Sequence, residues 1–402
     1  MKYSQWGRKA FVLTISLFSL FMLGGCWSSL ELNERIFVRL MVVDKSEEGV
    51  QLTLGFPLSN RMIPGMAESS GQAGGKAYSY VTKSGADIGQ AFRKIQINLS
   101  RKINFGQTRV IVVGRELAEE GIEPVLEFAA RHPSLYINSN LYVTTGEAKD
   151  VSTIATVSER FPSDILTAFA RLHSVIDTTC KDFMAANYNG GDIAVSLLRL
   201  KTQRIETEKE KEQIWVEPVG AAIFKQGKMV GTLNIKEMRG GLWILNKLRD
   251  AEITIHSPTD GKDVSFMIRR MKTHIKPLVG RNRVLIRIYS KGEAEVISSD
   301  SGIDLSNPQE LRRIEHSLSA EVTKRIGKAI GKSIDLQSDA FHFGSYIDWK
   351  YPREWKRIKP RWRDIYGNSL DFAARVDVKI KRLGTIKEPV GKTLGPKTKE
   401  ES

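Results

Sequence analysis

The chain has 402 residues and a formal net charge of +15, with 61 Lys and Arg against 46 Asp and Glu. Hydrophobic residues make up 41% and the mean hydropathy is −0.26, values of a globular chain with two or three ordinary cores that exclude a polytopic membrane protein. Two cysteines exclude a disulfide framework, and six scattered histidines offer no HExxH or paired-ligand spacing for zinc.

The N-terminus carries a processing signal. Lys2, Arg8 and Lys9 precede an apolar run from Ala10 to Leu23, and Leu23-Gly24-Gly25-Cys26 closes it. A short basic region, an apolar stretch and small residues before a cut form a secretory signal. The cysteine directly after the small pair makes it a lipobox, in which the Cys26 thiol takes a diacylglycerol and becomes the mature N-terminus. The run is shorter than the roughly 20 residues of a spanning helix; an uncleaved anchor helix is the alternative. On either reading the remaining 377 residues face the outside of a bacterial membrane. Cys180 then has no partner within the chain, and is expected as a small buried apolar residue rather than a reactive thiol. Losing Lys2, Arg8 and Lys9 lowers the net charge to +12. For an outward-facing chain that charge suits lipid headgroups or wall polymers better than nucleic acid, and simple solubility accounts for it equally.

From there the chain alternates strand and helix. Ile36 to Val43 is rich in β-branched residues, Asp44-Lys45 and Glu48-Gly49 supply a turn, and Val50 to Phe56 makes a second strand. Residues 64–76 are a Gly/Ser-rich loop. Residues 77–85 predict a strand, and about 86–100 a helix with Ile88, Ala91, Phe92, Ile95 and Leu99 on one face. A buried strand at 108–114, a helix from Glu116 to Ala130, a strand at 135–146 and a helix from Ala148 to Ala155 follow, a mixed α/β layer. Residues 158–200 show no clean period. The run of alternating charge at 204–212 predicts a solvated linker near a domain boundary.

Beyond it, 219–234 predicts two short strands around Gln226-Gly227-Lys228, and further strands are expected at 252–256, 264–270, 272–279 and 283–297. A helix over 308–331 has Leu311, Ile314, Leu318, Val322, Ile326 and Ile330 three or four apart, with Asn307 as cap and Pro308 at its first position. Residues 370–384 alternate as a strand. The expected fold is α+β or mixed α/β and multidomain, with mixed sheets flanked by helices. The expected organisation is a signal peptide at 1–25, an N-terminal α/β region at 26–204, a charged linker at 205–215, a C-terminal α+β domain at 216–384 and a disordered tail at 385–402.

No constellation for catalysis emerges. Residues 327–333 (GKAIGKS) resemble a phosphate loop, but have three residues between the glycines instead of four and lie in the long helix rather than opening one. A GxSxG elbow is absent and no acidic pair is placed for acid–base work. The expectation is no enzyme, no cofactor and no metal. The stretch 349–363 holds three of the seven tryptophans and seven basic residues against one acidic. Trp355, Ile358, Trp362 and Ile365 recur at helical spacing. This face either packs on the core with its cations in water, or meets anionic headgroups or a membrane-embedded partner. The tryptophans are assigned to the core, and Lys356, Arg357 and Arg361 to the interface.

Residues 25–45 resemble the mature start of the Ger(x)C lipoproteins, the C subunits of nutrient germinant receptors in endospore-forming bacteria. Cys26, Trp27, Glu31, Leu32, Asn33 and Asp44 carry the likeness, and Ser28 departs from an Asp usual after the Trp. Residues 104–122, 220–234, 351–362 and 376–384 resemble later segments of the same family in the same order. Pro360 interrupts a stretch that is helical in that pattern, so the helix should break in two. The resemblance implies three mixed α/β domains, the N-terminal region forming two of them, and a lipid anchor of diacylglycerol and palmitate. It implies assembly with two integral membrane subunits at the outer face of the spore inner membrane, a part in nutrient-triggered germination, and no catalytic residues. The alternatives are a wall-associated structural lipoprotein and a substrate-binding lipoprotein of an importer. The latter would close two α/β lobes on a ligand, and the strand-rich stretch 252–297 argues against a doubly wound second lobe.

Overall fold

The computed structural model describes residues 31–58, 77–156, 159–188, 190–204, 212–280 and 283–382, with a few positions among the first sixteen. Cys26, the loop at 64–76 and the tail at 385–402 lie outside the described residues, so the expectations placed on them have no structural counterpart here. Among the described residues no helix is long and apolar enough to cross a membrane.

An eight-stranded sheet forms the first half. Its chain order is β2 (Leu40–Ser46), β3 (Gly49–Pro57), β4 (Tyr78–Gly85), β6 (Val110–Val113), β7 (Asn140–Thr144), β8 (Ile193–Arg204), β9 (Glu212–Lys225) and β10 (Lys228–Asn234). Across the sheet the order is β10-β9-β8-β7-β6-β2-β3-β4, and the central β2, β6, β7 and β8 are parallel. β1 (Arg35–Phe37) and β5 (Lys102–Asn104) pair separately. Parallel strands need helical crossovers, which cover both sheet faces, so their side chains are buried whichever way they point. Hence Leu40 to Val43 and Val110 to Val113 are unbroken apolar runs, every residue buried. Met41, Val43, Ile111 and Val113 pack towards α1 (Ile88–Ile97), α2 (Arg115–Glu120), α3 (Glu123–Arg131) and α5 (Cys180–Tyr188). Leu40, Val42, Val110 and Val112 pack the other way, with the 3-10 turn at Lys149–Thr153 and α4 (Pro162–Arg171).

A four-stranded sheet forms the second half, in the order β11 (Ala251–His256), β12 (Asp263–Val279), β13 (Val284–Ser299) and β14 (Leu370–Arg382). One face is covered by α7 (Pro308–Asp335), whose Ile314, Leu318, Val322, Ile326 and Ile330 are fully buried at helical spacing. Asn307 caps it, accepting from the Gln309 N–H at 2.9 Å. The two halves are joined through β8, β9 and β10. Ala222 and Phe224 face the first core, whereas Ala221, Ile223 and Leu233 belong to the core of the second half. There they meet α6 (Ile235–Ile244) through Met238, Leu242 and Trp243.

The α+β, multidomain expectation holds, and local readings change. Residues 212–215, expected in a linker, are the start of β9 and pair with 201–204 of β8; the rest of the charged run, 205–211, lies outside the described residues. The helix expected at 116–130 is two helices, divided where Gly121 takes a φ of 134° that only glycine adopts without strain. The helix expected from Ala148 is a single 3-10 run. The vague region 158–200 holds α4, α5 and the start of β8. Strands expected at 264–270 and 272–279 are one strand with a bulge between Arg269 and Lys272. Asp44, read as a turn, is buried within β2, and its Oδ1 accepts from the Ala148 N–H at 2.7 Å.

The shared hairpin predicts cooperative unfolding. Ile223→Ala empties the second core and Phe224→Ala the first, each costing about 2–5 kcal/mol. Both should lower the midpoint of one common thermal transition. Two transitions, each responding to only one variant, would show that the halves unfold independently.

Candidate functional site

The aromatic–basic stretch folds as three short helices: α8 (Phe343–Lys350), α9 (Pro352–Ile358) and α10 (Trp362–Asn368), with a 3-10 turn at Lys359–Arg361. The break falls at Pro360, as its missing N–H and its ring require. Trp355, Ile358 and Trp362 are buried and join the second core. Trp355 and Trp362 stand edge to face with ring centres 5.3 Å apart, and Trp362 meets Tyr366 at 5.7 Å. Lys356, Arg357 and Arg361 are exposed, and Trp349 is 86% exposed. The core assignment of Trp355 and Trp362 therefore matches the packing, while Trp349 stands in solvent.

Two carboxylates fasten this segment to the rest of the molecule. Asp339, in the turn after α7, is buried. Its Oδ1 accepts from the Phe343 N–H at 2.7 Å, and its Oδ2 from the Gly344 N–H at 2.7 Å and the Trp362 Nε1–H at 3.0 Å. Gly344 is required at this point. A Cβ there would lie 2.6 Å from the Trp355 ring and 3.1 Å from Asp339 Oδ2. Asp192 stands between α5 and β8 in the first half. Its Oδ2 accepts from the Asp339 N–H at 3.1 Å, and its Oδ1 from Arg363 Nη2 at 2.9 Å and the Gln226 N–H at 3.3 Å. Arg363 also donates to the Gly190 carbonyl at 2.5 Å, and Ser338 Oγ to that of Phe224 at 2.7 Å. Every carboxylate oxygen of the pair is satisfied. Burial pushes the Asp339 carboxyl up to about 7, against the pull of its three N–H donors. Asp192 shifts the same way for the same reason, opposed chiefly by Arg363.

Around this seam runs a cleft lined in part by Asp192, Asp339, His342, Trp355, Pro360 and Arg363. His342 holds a left-handed backbone, φ 59°, and burial lowers its pKa. Among the described residues no group of His, Cys, Asp and Glu is placed to hold a metal ion. Cys180 opens α5 fully buried, and burial pushes its thiol up to about 12, the environment of an inert core residue. Residues 327–333 lie inside α7 as continuous helix and form no phosphate loop. Nothing in the sequence marks Asp192 or Asp339 as a pair; one local signal is Ser338-Asp339 shortly before α8, the residue types that start helices.

Comparison with known proteins gives this arrangement its class. Residues 28–200 match the family described as the spore germination protein N-terminal domain, and residues 219–384 the family described as spore germination B3/GerAC like, C-terminal. The chain belongs to this GerAC-like spore germination family. It is similar to spore germination protein KC of Bacillus subtilis (strain 168), 24% identical over 95% of this chain and 98% of the relative. Spore germination protein B3 of the same organism is 22% identical over 94% and 99%. Among solved structures the crystal structure of the GerBC protein shares the fold, with a TM-score of 0.56 and 19% identity over 85% of this chain and 96% of that one.

Two measurements test the seam. Trp362→Ala should lower stability by about 3–5 kcal/mol, a loss typical of a buried tryptophan and not of a surface one. The second concerns pH. The folded-state pKa of Asp339 lies above its unfolded value of 3.8, so its proton is bound more tightly in the folded protein. The corresponding stability is fully present below the unfolded value and is lost as pH rises through about 7. Asp192 acts in the same sense, and His342, whose pKa is lowered, in the opposite one. Asp339→Asn removes one contribution alone, so the fall in melting temperature between about pH 5 and about pH 8 should be smaller in the variant than in the parent. An equal or steeper fall would show that Asp339 is ionised throughout.

Proposed function

We propose that this protein is the lipid-anchored, non-catalytic C subunit of a nutrient germinant receptor, held by Cys26 at the outer face of the spore inner membrane. It is needed for germination through assembly with the integral membrane subunits of the same receptor. The observation that carries the reading is the near end-to-end match to two curated spore germination proteins, together with family matches in both halves. The lipobox before Cys26 supports the anchor, and the exposed cations Lys356, Arg357 and Arg361 support a contact with the membrane or a partner subunit. Asp192 and Asp339 are taken up in fastening the last three helices to the rest of the molecule, a structural use that suits a subunit that holds or gates its partners.

The anchor is tested by labelling. Cys26→Ala should abolish incorporation of a fatty-acid analogue and weaken membrane retention, since the diacyl anchor supplies stable attachment; a fully labelled variant would refute it. The role is tested by deletion. Spores lacking the chain should fail to respond to the nutrients of their receptor and still germinate with agents that bypass receptors. A normal nutrient response without a redundant receptor contradicts the proposal, and failure with bypass agents as well points to a general envelope role.

A further inference from the structure

We propose that the solvent face of the C-terminal sheet is the surface this protein lays against anionic phospholipid headgroups; the inference rests on the reading of the chain as membrane-tethered. Along β12 and β13 the register sets Lys272 opposite Lys291, His274 opposite Tyr289, and Lys276 opposite Arg287. On the other side of β13, Arg375 of β14 lies beside Tyr289. All seven side chains are exposed. Like charges directly opposite one another destabilise a sheet, and here two such pairs flank the His274–Tyr289 pair on one face. None of the five Lys and Arg forms an ion pair with a described residue. Asp377 of β14 stands directly opposite Lys291 but is engaged by Lys379 at 3.6 Å, and Asp371, opposite Leu285, lies diagonal to Arg287.

The other half of the same sheet face behaves differently. Past the bulge, Arg269 is opposite Glu293 and pairs with Glu295 at 3.2 Å and with Asp250 at 3.1 Å. One half is paired within the protein, and the other keeps an excess of positive charge, five Lys and Arg against Asp371 and Asp377. The fold does not need those cations, because the inward side of the same strands, Ile275, Ile286 and Ile288, supplies the packing. Strands lie about 4.8 Å apart and same-face residues about 6.8 Å apart along each strand, so the cations form one compact patch on a sheet surface. Tyr289, 39% exposed at its centre, adds an amphipathic ring of the kind enriched at headgroup level. Mobile headgroups can settle between closely set lysines in any arrangement, whereas an acidic protein must bring fixed carboxylates and a matching contour. Lys356, Arg357 and Arg361 belong to the helical layer over the opposite face. One flat bilayer cannot meet both surfaces, so the helical cations are left for a protein partner.

The test uses residues 27–402, which contain both sheets and every core and lack Cys26, so that attachment by lipid plays no part. The fragment should sediment with vesicles of mixed phosphatidylcholine and phosphatidylglycerol, not with pure phosphatidylcholine, and salt should release it. Lys272→Glu with Lys276→Glu turns both like-charged pairs into opposite ones and leaves Lys291 opposite Asp377, so the melting temperature should hold. Binding should fall at least about tenfold, each cation near an anionic surface being worth about fivefold. If the melting temperature drops, Lys272→Gln with Lys276→Gln carries the same test. The triple variant Lys356→Glu, Arg357→Glu, Arg361→Glu should bind like the parent. Undiminished binding of the sheet variant, loss of binding in the triple variant, or indifference of the parent to phosphatidylglycerol would each overturn the proposal. Capture of polyglutamate but not vesicles through Lys272 and Lys276 would assign the face to an acidic protein instead. Failure of lipid attachment is read separately, by acyl labelling at Cys26.

Discussion

The β9–β10 hairpin is the element on which the rest of the structure depends, because it is apolar on both faces. Ala222 and Phe224 complete the core of the large sheet, while Ala221, Ile223 and Leu233, one residue out of phase, begin the core of the second half. The period of two that sends successive side chains to opposite faces thus lets one hairpin serve two cores. The family boundaries fall at residues 200 and 219, just before this seam, yet the packing runs through it.

Where the apolar seam reaches the surface, polar contacts take over. Asp192 and Asp339 sit 147 positions apart and are joined through a backbone N–H, with Arg363 closing the link from α10. The same carboxylate that receives Trp362 also orders the start of α8. The exposed cations of the segment are therefore presented from a fixed base, which is what a contact with a partner needs. On the proposed reading, a molecule with separate basic surfaces on the two sides of one sheet would lie between a membrane and the proteins embedded in it.

The parts of this arrangement that the sequence reveals are those governed by local periodicity. α7 is legible because six apolar residues keep a helical spacing and Asn307-Pro308 marks its start. The break at Pro360 follows from covalent geometry, and the burial of Trp355 and Trp362 from their spacing with Ile358. β9 is only half legible. Its first residues carry the charge of a solvated loop, and pairing with β8 overrides that composition. α5 is hidden because its apolar residues do not keep one helical face, whereas α4 does carry such a face in Ile165, Leu166, Phe169 and Ala170, obscured by the aperiodic residues on either side. Asp192 and Asp339 could not be found as a pair at all, since nothing local ties residues so far apart. The like-charged face of the second sheet likewise exists only in the register of β12 against β13.

The proposed role requires that this protein work within a membrane complex. Solubilising spore inner membranes and isolating the chain through a C-terminal tag, beyond residue 402, measures that directly. The integral membrane subunits of one germinant receptor should co-purify in constant proportion. Recovery of the chain alone, from membranes that contain those subunits, would contradict that role.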